Sequence, residues 1–194
     1  MDPIILASGS LRRQEFFRLM GLPFSIMAPM IDEKIVPGVE PRKMAEDFAA
    51  RKVKKVIELM KGRIPPWICG ADTIISVDGD IYGKPADRED AKTMLSRLQG
   101  RDHEVITAVA LKSREGDMDC RSVVSRVSFT GLSEREIEWY LNTGEWQGVA
   151  GSYKIQGLAS CFITRIEGSP SAVVGLPMNE FYVMLRDNGY PYGG

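Results

Sequence analysis

Hydrophobic residues recur along this chain with two periods, and the segments in which each period holds predict a mixed α/β protein. Apolar residues at helical spacing, between serine, proline or aspartate at the start and glycine at the end, are typical of helices. The helices predicted in this way span residues 10–21, 41–60, 87–100, 133–141 and 176–189. Apolar or alternating runs predict strands within residues 3–8, 23–28, 67–85, 103–113, 120–130 and 159–166.

The segment "WICGADTIISVDGDIYGKP", residues 67–85, predicts a β-hairpin, because Asp78-Gly79 is a strong two-residue turn signal. Its end, "GDIYGKP", looks like a shortened phosphate-binding loop, but Pro85 stands where such a loop carries a hydroxyl. Lys84 is therefore expected near the end of a returning strand. Hairpins interspersed with helices predict a mixed central β-sheet with flanking helices. We find no internal repeat or linker, which predicts a single domain over residues 1–194.

The composition narrows the class of protein. The chain has 194 residues, 44% hydrophobic and 26% charged, which suits one large domain or two lobes that share a sheet. Its formal net charge of −1 predicts no general attraction to nucleic acid, so a polyanion must be held by a local cluster. The sequence has no apolar stretch of about 18 residues and no basic N-terminal region, which predicts no membrane span, no signal peptide and a cytoplasmic location.

Histidine and cysteine are scarce. His103 is the only histidine, which excludes a multi-histidine metal site, and its segment "GRDHEV" predicts a partly exposed turn residue. Cys69, Cys120 and Cys161 form no C-x-x-C pair and are expected to be small buried apolar residues in a reducing compartment. An enzyme of this composition must use carboxylates, lysines and arginines.

Lys52 is the only charge within the apolar face of the helix predicted at 41–60. A buried ammonium without a partner is costly, so Lys52 needs either a carboxylate or a cleft. The alternative is a lysine that extends its charge to solvent past apolar neighbours.

Arg12 and Arg13 lie in the first turn of a predicted helix, where the helix dipole disfavours cations unless an anion binds in front of it. An anion there would meet both the guanidinium groups and the helix amides. Ser8 and Ser10, in the preceding turn, favour a phosphate site over the alternative of a solvated arginine pair.

Asp72 interrupts an apolar strand, either as a structural residue that caps a turn or as a carboxylate placed to bind metal or activate water. Glu33, beside Asp32, suits a solvated acidic loop when taken alone, and Gln156 can read a base edge but is uninformative alone. Together with the arginines and lysines, these residues suit a phosphate ester bound with a divalent cation.

Five segments resemble, in order, the sequence blocks of the Maf family of nucleoside triphosphate pyrophosphatases. They are "LASGSLRRQEFFRLMGLPF", "ADTIISVDGDIYGKP", "MLSRLQGRDHEVITAVAL", "AGSYKIQGLASCFITRIEG" and "VVGLPM". The resemblance runs from about Ile4 to Leu185. It implies a mixed α/β fold of two lobes around a central cleft, like that of the inosine triphosphate pyrophosphatases. It also implies hydrolysis of a nucleoside triphosphate to the monophosphate and pyrophosphate, with Mg²⁺ or Mn²⁺ as cofactor.

The resemblance carries roles over to matching positions. Asp72 corresponds to the general base, and Glu33 to a metal ligand that shares the ion with Asp72. The other matching residues line the phosphate and base sites, Lys52 and Lys84 as catalytic cations and the rest as substrate-binding residues: Ser8, Ser10, Arg12, Arg13, Thr73 and Gln156.

Three positions resemble the pyrimidine-type subgroup, which cleaves dTTP and UTP: Arg12-Arg13, Thr73 and Ile155-Gln156-Gly157. The subgroup that acts on 7-methylguanosine triphosphate carries Trp-Arg, Gln and Glu there. The chain departs from the family pattern by a leucine in place of proline, a lost lysine and a gained lysine, at Leu11, Val149 and Lys154.

Two alternatives stay open. One is a pyrophosphatase for a modified or purine triphosphate such as 7-methylguanosine triphosphate. The other is a nucleotide-binding regulator of septum formation that does not hydrolyse its ligand. The sequence also leaves the oligomeric state open, with a homodimer as one alternative.

Overall fold

The computed structural model describes residues 1–62 and 65–192. In this part of the chain, one sheet contains seven strands: β1 Ile4–Leu6, β2 Phe24–Ile26, β3 Trp67–Val77, β4 Asp80–Tyr82, β5 Asp102–Ser113, β6 Met118–Phe129 and β7 Ile163–Glu167. The helices are α1 Leu11–Leu19, α2 Pro41–Leu59, α3 Arg88–Leu98, α4 Glu134–Leu141, α5 Pro170–Val174 and α6 Met178–Asp187. Two 3₁₀ turns span Ala150–Ser152 and Leu158–Phe162.

Local signals in the sequence explain where several of these elements begin or turn. Both residues of the hairpin turn have positive φ, 52° at Asp78 and 88° at Gly79, as a two-residue hairpin of this kind requires. The side chain of Ser133 accepts a hydrogen bond from the amide of Glu136, whose carboxylate accepts from Ser133 in return. This reciprocal pair confirms the predicted capping box at the start of α4.

The sheet is mixed, as predicted, with strand order β2-β1-β3-β5-β6-β7 and β4 paired to β3. β1 runs parallel to β2 and β3, and the remaining pairs are antiparallel. β3 is paired with β5 along almost its whole length. Its other edge is paired with β1 at Trp67–Cys69 and with β4 at Ile75–Val77. In the described part of the chain, residues 70–74 of that edge have no strand partner.

The apolar core is divided at the middle of β3, where successive residues point to opposite faces of the sheet. On one face, Ile74 belongs to a buried cluster with residues of α2. On the other face, Ala71 packs in a second cluster with α1 and α6, and Ile75 in a third with α3 and α4. Thr73 lies between the second and third clusters, so a polar residue interrupts the core beside the open edge.

Two parts of the C-terminal third differ from the prediction. The strand predicted at 159–166 is a 3₁₀ turn at Leu158–Phe162 followed by β7, because Ala159 and Phe162 are buried by the turn and do not alternate along a strand. The helix α5 was not predicted, although Ser169 caps its start by accepting a hydrogen bond from the amide of Ala172.

The expectations for histidine and cysteine were mostly wrong. His103 is only 2% exposed, lies in β5, and is hydrogen-bonded through Nε2 to the Tyr153 hydroxyl at 2.8 Å. Alternation along β5 turns this residue inward, where aromatic rings pack against it. Cys69 is buried as expected, but Cys120 is partly exposed and Cys161 is exposed. Among the described residues, no helix is long and apolar enough to cross a membrane.

Burial lowers the pKa of His103 to about 4, so we expect the stability of the protein to depend on pH. In the unfolded chain its imidazole binds a proton below about pH 6.5. Between pH 4 and 6.5 the unfolded state binds more protons than the folded state. The contribution of His103 to the free energy of unfolding is therefore greatest above about pH 6.5 and falls as the pH drops towards 4. The expected contribution is up to about 3 kcal/mol.

The His103 prediction is measured by urea unfolding of the wild type and His103→Gln between pH 4 and 7, where the wild type should lose more stability on acidification. Because the chain has one histidine, its imidazole NMR signal is unambiguous. Titration of that signal near pH 6.5 in the folded protein would contradict the prediction.

Candidate active site

A cavity of about 760 Å³ opens beside the unpaired edge of β3. Pockets of about 300–1,000 Å³ are the size that commonly holds small-molecule ligands. The ten residues singled out in the sequence all line it: Ser8, Ser10, Arg12, Arg13, Glu33, Lys52, Asp72, Thr73, Lys84 and Gln156. The three departures from the family pattern, Leu11, Val149 and Lys154, line it as well.

Four charged side chains form a continuous chain on one wall. The ammonium of Lys52 contacts the carboxylate of Asp72 and lies 2.8 Å from Oε1 of Glu33. The other oxygen of Glu33, Oε2, lies 3.0 Å from Nζ of Lys84. Lys52 also donates a hydrogen bond to the carbonyl of Ala71 at 3.4 Å. Lys52 therefore meets carboxylates inside the protein and does not extend to solvent, and Glu33 is not a solvated acid.

Gly70 explains how Lys52 reaches Asp72. A Cβ at this position would lie 2.6 Å from the carbonyl oxygen of Ala49 and 2.9 Å from Cγ2 of Val53, both on α2. Any side chain at Gly70 would therefore force α2 away from β3. Since Lys52 projects from the same turn of α2, the missing side chain permits the close approach that buries the ion pair.

The two lysines also determine the charge of Glu33. Burial on its own would raise the pKa of this carboxyl, but the ammonium groups of Lys52 and Lys84 outweigh it and lower the pKa to about 2. Glu33 is therefore ionised throughout the neutral range. A ligand that draws either lysine away would leave a carboxylate oxygen free to bind a cation.

Arg13 has its guanidinium bonded to the protein on three sides. It donates to the carbonyl of Gly175 at 2.8 Å, to Oγ of Ser8 at 3.1 Å and to Oγ1 of Thr73 at 3.2 Å. Thr73 in turn is 3.0 Å from Oγ1 of Thr107. Burial lowers the pKa of Arg13, and the carboxylate of Asp72 opposes that effect. Arg13 is therefore a buried positive charge in the cavity wall, held by the protein, and not half of a solvated pair.

Arg12 makes fewer side-chain hydrogen bonds to the protein than Arg13 does. Its Nε donates to the carbonyl of Val174 at 3.2 Å, and the residue is partly exposed at the cavity. Ser10 precedes α1 but makes no side-chain cap, and α1 has no acidic residue in its first turn. The helix start therefore faces the cavity with a cation and without a competing carboxylate of its own first turn, which is the arrangement that an anion favours.

A further wall of the cavity comes from residues within 147–156 and carries Gln156, which is exposed. Its backbone is tied to neighbouring elements, because the amide of Lys154 donates to the Tyr140 hydroxyl at 3.1 Å. The amide of Gly151 donates to the carbonyl of Gly83 at 3.0 Å. This last bond joins the Gln156 wall to the end of the hairpin that carries Lys84.

Sequence reasoning missed two parts of the site. The first is α5, whose end supplies the carbonyls of Val174 and Gly175 that hold both arginines. A signal for α5 existed, since Ser169-Pro170 is a helix cap followed by proline at the first helical position. The second is the rest of the 147–156 wall, where only Gln156 was chosen as a site residue. No local signal shows which residues of an irregular segment face a cavity.

The residues present fit a divalent cation only together with a ligand. Within residues 1–62 and 65–192, no group of three or more histidine, cysteine or acidic side chains is placed to hold a metal. Glu33 and Asp72 provide two carboxylates, which both contact Lys52. Mg²⁺ commonly binds one or two carboxylates and completes its shell with substrate phosphates and water. The pair therefore suits a cation that arrives with a phosphate ligand.

The chain is similar to known proteins over nearly its whole length. A model of the family described as Maf-like protein matches residues 3–188. A dTTP/UTP pyrophosphatase of Symbiobacterium thermophilum is 44% identical over 191 residues, which cover 98% of this chain and 96% of the relative. A dTTP/UTP pyrophosphatase of Hahella chejuensis is 45% identical over 188 residues, covering 96% and 92%. A nucleoside triphosphate pyrophosphatase of Anaplasma phagocytophilum is 41% identical over 191 residues, covering 98% and 96%.

The solved structure of a HAM1 protein from Coxiella burnetii aligns with a TM-score of 0.50 at 16% identity, covering 96% of this chain and 100% of that one. At this identity the likeness concerns the fold alone. It confirms the predicted mixed α/β architecture with a central mixed sheet and flanking helices.

The buried ion pair generates a stability prediction. Lys52→Met leaves the carboxylate of Asp72 buried beside an apolar side chain, and we expect a loss of about 3–5 kcal/mol in the free energy of unfolding. Lys55→Met is the matched control, because the partly exposed side chain of Lys55 lies on the same helix with an ion pair to Glu58, and its loss should stay below about 1 kcal/mol. Urea unfolding at pH 7 measures both, and equal losses would contradict the prediction.

Proposed function

Because this chain belongs to the family of Maf-like proteins, we propose that it hydrolyses nucleoside triphosphates to the monophosphate and pyrophosphate. We propose dTTP and UTP as its substrates. The observation that carries the proposal is the series of ion pairs Asp72–Lys52–Glu33–Lys84 beside a cavity that Arg12 also lines. Two relatives that match nearly the whole chain are named dTTP/UTP pyrophosphatases, which supports the choice of substrate.

In this proposal Asp72 is the general base. Its carboxylate lies at the open edge of β3, buried and in contact with the ammonium of Lys52. Asp72 takes a proton from a water molecule whose oxygen forms a bond to the α-phosphorus. The bond from that phosphorus to the bridging oxygen breaks, and pyrophosphate leaves with the electron pair. A positioned general base of this kind contributes about 10²–10⁴-fold to a rate.

The cations around the cavity neutralise the triphosphate. Lys52 and Lys84 exchange part of their contact with Glu33 for phosphate oxygens, while Arg12 and the helix start bind oxygens further along the chain. Arg13 contributes its positive charge from within the cavity wall, where its hydrogen bonds are made to the protein. Four cations face two carboxylates in this group, an excess of two positive charges, which does not fully balance a triphosphate.

A divalent cation completes the charge balance. We propose that Glu33 and Asp72 hold Mg²⁺ or Mn²⁺ together with phosphate oxygens of the substrate. When bound, the metal supplies charge neutralisation on the reacting phosphate groups. Its arrival with the substrate agrees with a carboxylate pair that the lysines otherwise occupy.

Gln156 is proposed to read the base. Its amide offers one acceptor oxygen and two donor hydrogens, which can pair with the donor and acceptor edge of uracil or thymine. Gln156 and Asp72 line the same cavity, and in the proposed complex the phosphates lie at the charged residues and the base at Gln156.

Replacement of the proposed base tests the mechanism. Asp72→Asn keeps the shape of the side chain but removes the carboxylate, and we expect turnover to fall by about 10²-fold or more. The control is Asp80→Asn, since Asp80 is exposed on β4 and outside the cavity lining. Initial rates of pyrophosphate release measure both, with circular dichroism to compare the folds. Turnover of Asp72→Asn close to that of the wild type would contradict the assignment.

A panel of triphosphates tests the substrate. With Mg²⁺ or Mn²⁺ present, we expect pyrophosphate release to be fastest from dTTP and UTP, because a neutral glutamine suits their base edges. Faster release from 7-methylguanosine triphosphate would contradict the pyrimidine assignment. Nucleotide binding without release from any triphosphate would favour the regulatory alternative.

A further inference from the structure

The exit of the turn that carries Gln156 is held by one carboxylate. Oε2 of Glu145 accepts a hydrogen bond from the backbone amide of Leu158 at 2.9 Å, two residues after Gln156. Glu145 is itself anchored, because its amide donates to Oγ1 of Thr143 at 3.2 Å, just after α4. The contact therefore connects the end of α4 to the Gln156 turn across thirteen residues of chain.

The position of the Glu145 carboxylate explains why residue 157 is a glycine. Its backbone is extended, with φ −123° and ψ −155°, a conformation that is not restricted to glycine. A Cβ at this position would nevertheless lie 2.1 Å from Oε2 and 2.7 Å from Cδ of Glu145. The glycine therefore makes room for the carboxylate, and the backbone conformation alone does not require it.

The start of the same turn is held independently. The amide of Lys154 donates to the Tyr140 hydroxyl at 3.1 Å, and the amide of Gly157 donates to the carbonyl of Lys154 at 2.9 Å. Gln156 thus lies between a fixed entry at Lys154 and an exit that depends on Glu145. Removal of the carboxylate would free the exit and leave the entry in place.

We propose that Glu145 is a positioning residue for Gln156, and that Gly157 serves to admit it. The proposal rests on the proposed function, in which Gln156 reads the base. Glu145 does not line the cavity, whereas Gln156 does, so Glu145 acts only through the turn. Base recognition by a side-chain amide requires that the amide be placed to within about 0.5 Å. An exposed residue on a turn that lacks this contact would not be held so closely.

The effect should appear in substrate affinity and base preference. Asp72 and Lys84 lie on or beside the β3–β4 hairpin, outside the turn that Glu145 holds. Loss of the hydrogen bond between Glu145 and Leu158 should therefore raise KM for dTTP and UTP about 10-fold and change kcat by less than about twofold. This is the pattern expected when a lost interaction stabilised the bound substrate and the transition state equally. The preference for dTTP over dATP should fall as well, which a general loss of stability would not cause.

Four variants test the contact. Glu145→Ala removes the acceptor, whereas Glu145→Gln keeps an acceptor oxygen. Gly157→Ala displaces the flexible carboxylate, and the double variant Glu145→Ala/Gly157→Ala combines the two alanine changes. Glu115→Ala is the control, because Glu115 is an exposed acid in the loop between β5 and β6. We expect Glu145→Ala and Gly157→Ala to share one defect in KM. We expect the double variant to be no worse than either, since both remove the same bond, and Glu145→Gln to recover most of the affinity.

Amide hydrogen exchange of the peptide over residues 155–160, without nucleotide, is measured on the same variants. Faster exchange in Glu145→Ala and Gly157→Ala than in the wild type and Glu115→Ala is expected. Unchanged exchange, single defects that multiply in the double variant, or a KM equal to that of the wild type would each overturn the proposal. If the wild type hydrolyses no triphosphate, the proposed function fails, while the exchange measurement still decides whether Glu145 holds the turn.

Discussion

The ion pair between Lys52 and Asp72 is the interaction on which the rest of the site depends. Both side chains are nearly removed from solvent, so each would be strongly destabilising without the other. The pair exists because two backbone features coincide. Gly70 lets α2 approach β3 closely, and among the described residues no strand pairs with the edge of β3 between β1 and β4. A continuous sheet edge would cover Asp72, and a longer distance to α2 would leave it uncompensated.

This arrangement keeps the charges of Lys52 and Asp72 largely out of contact with water. Asp72 and Thr73 are neighbours on one strand and point to opposite faces, one towards α2 and the other towards α1 and α5. Because the strand edge is open there, both still border the same cavity. A single dipeptide thus connects the proposed base to the arginine network of the phosphate end. Preorganised charges of this kind need little rearrangement when a charged ligand binds, which is the condition for electrostatic catalysis.

The predictable parts of the site are those where the sequence conflicts with its local pattern. Lys52 in an apolar helix face and Asp72 in an apolar strand could be recognised because burial of a charge needs a partner. Their pairing could not be identified from local signals, since Lys52 and Asp72 are 20 residues apart in the chain and only the fold brings them together. His103 was mispredicted for the same reason, because its inward orientation depends on the register of β5 and on Tyr153. The hairpin and every helix except α5, whose caps and turns are local, agree with the predicted bounds to within about two residues.

Recognition and chemistry are placed on different elements but share a backbone framework. The amide of Gly151 donates to the carbonyl of Gly83, next to Lys84, so the wall that carries Gln156 is attached to the hairpin that carries a proposed catalytic lysine. A Cβ at Gly151 would lie 2.2 Å from Cδ1 of Ile75, and its φ of 64° is one that L-residues rarely adopt, so this junction tolerates little change. Beyond the junction, the turn at Gln156 depends on side-chain contacts from Tyr140 and Glu145. Since such contacts can be exchanged without disturbing the ion pair, base preference can vary in this fold while the hydrolytic site is kept.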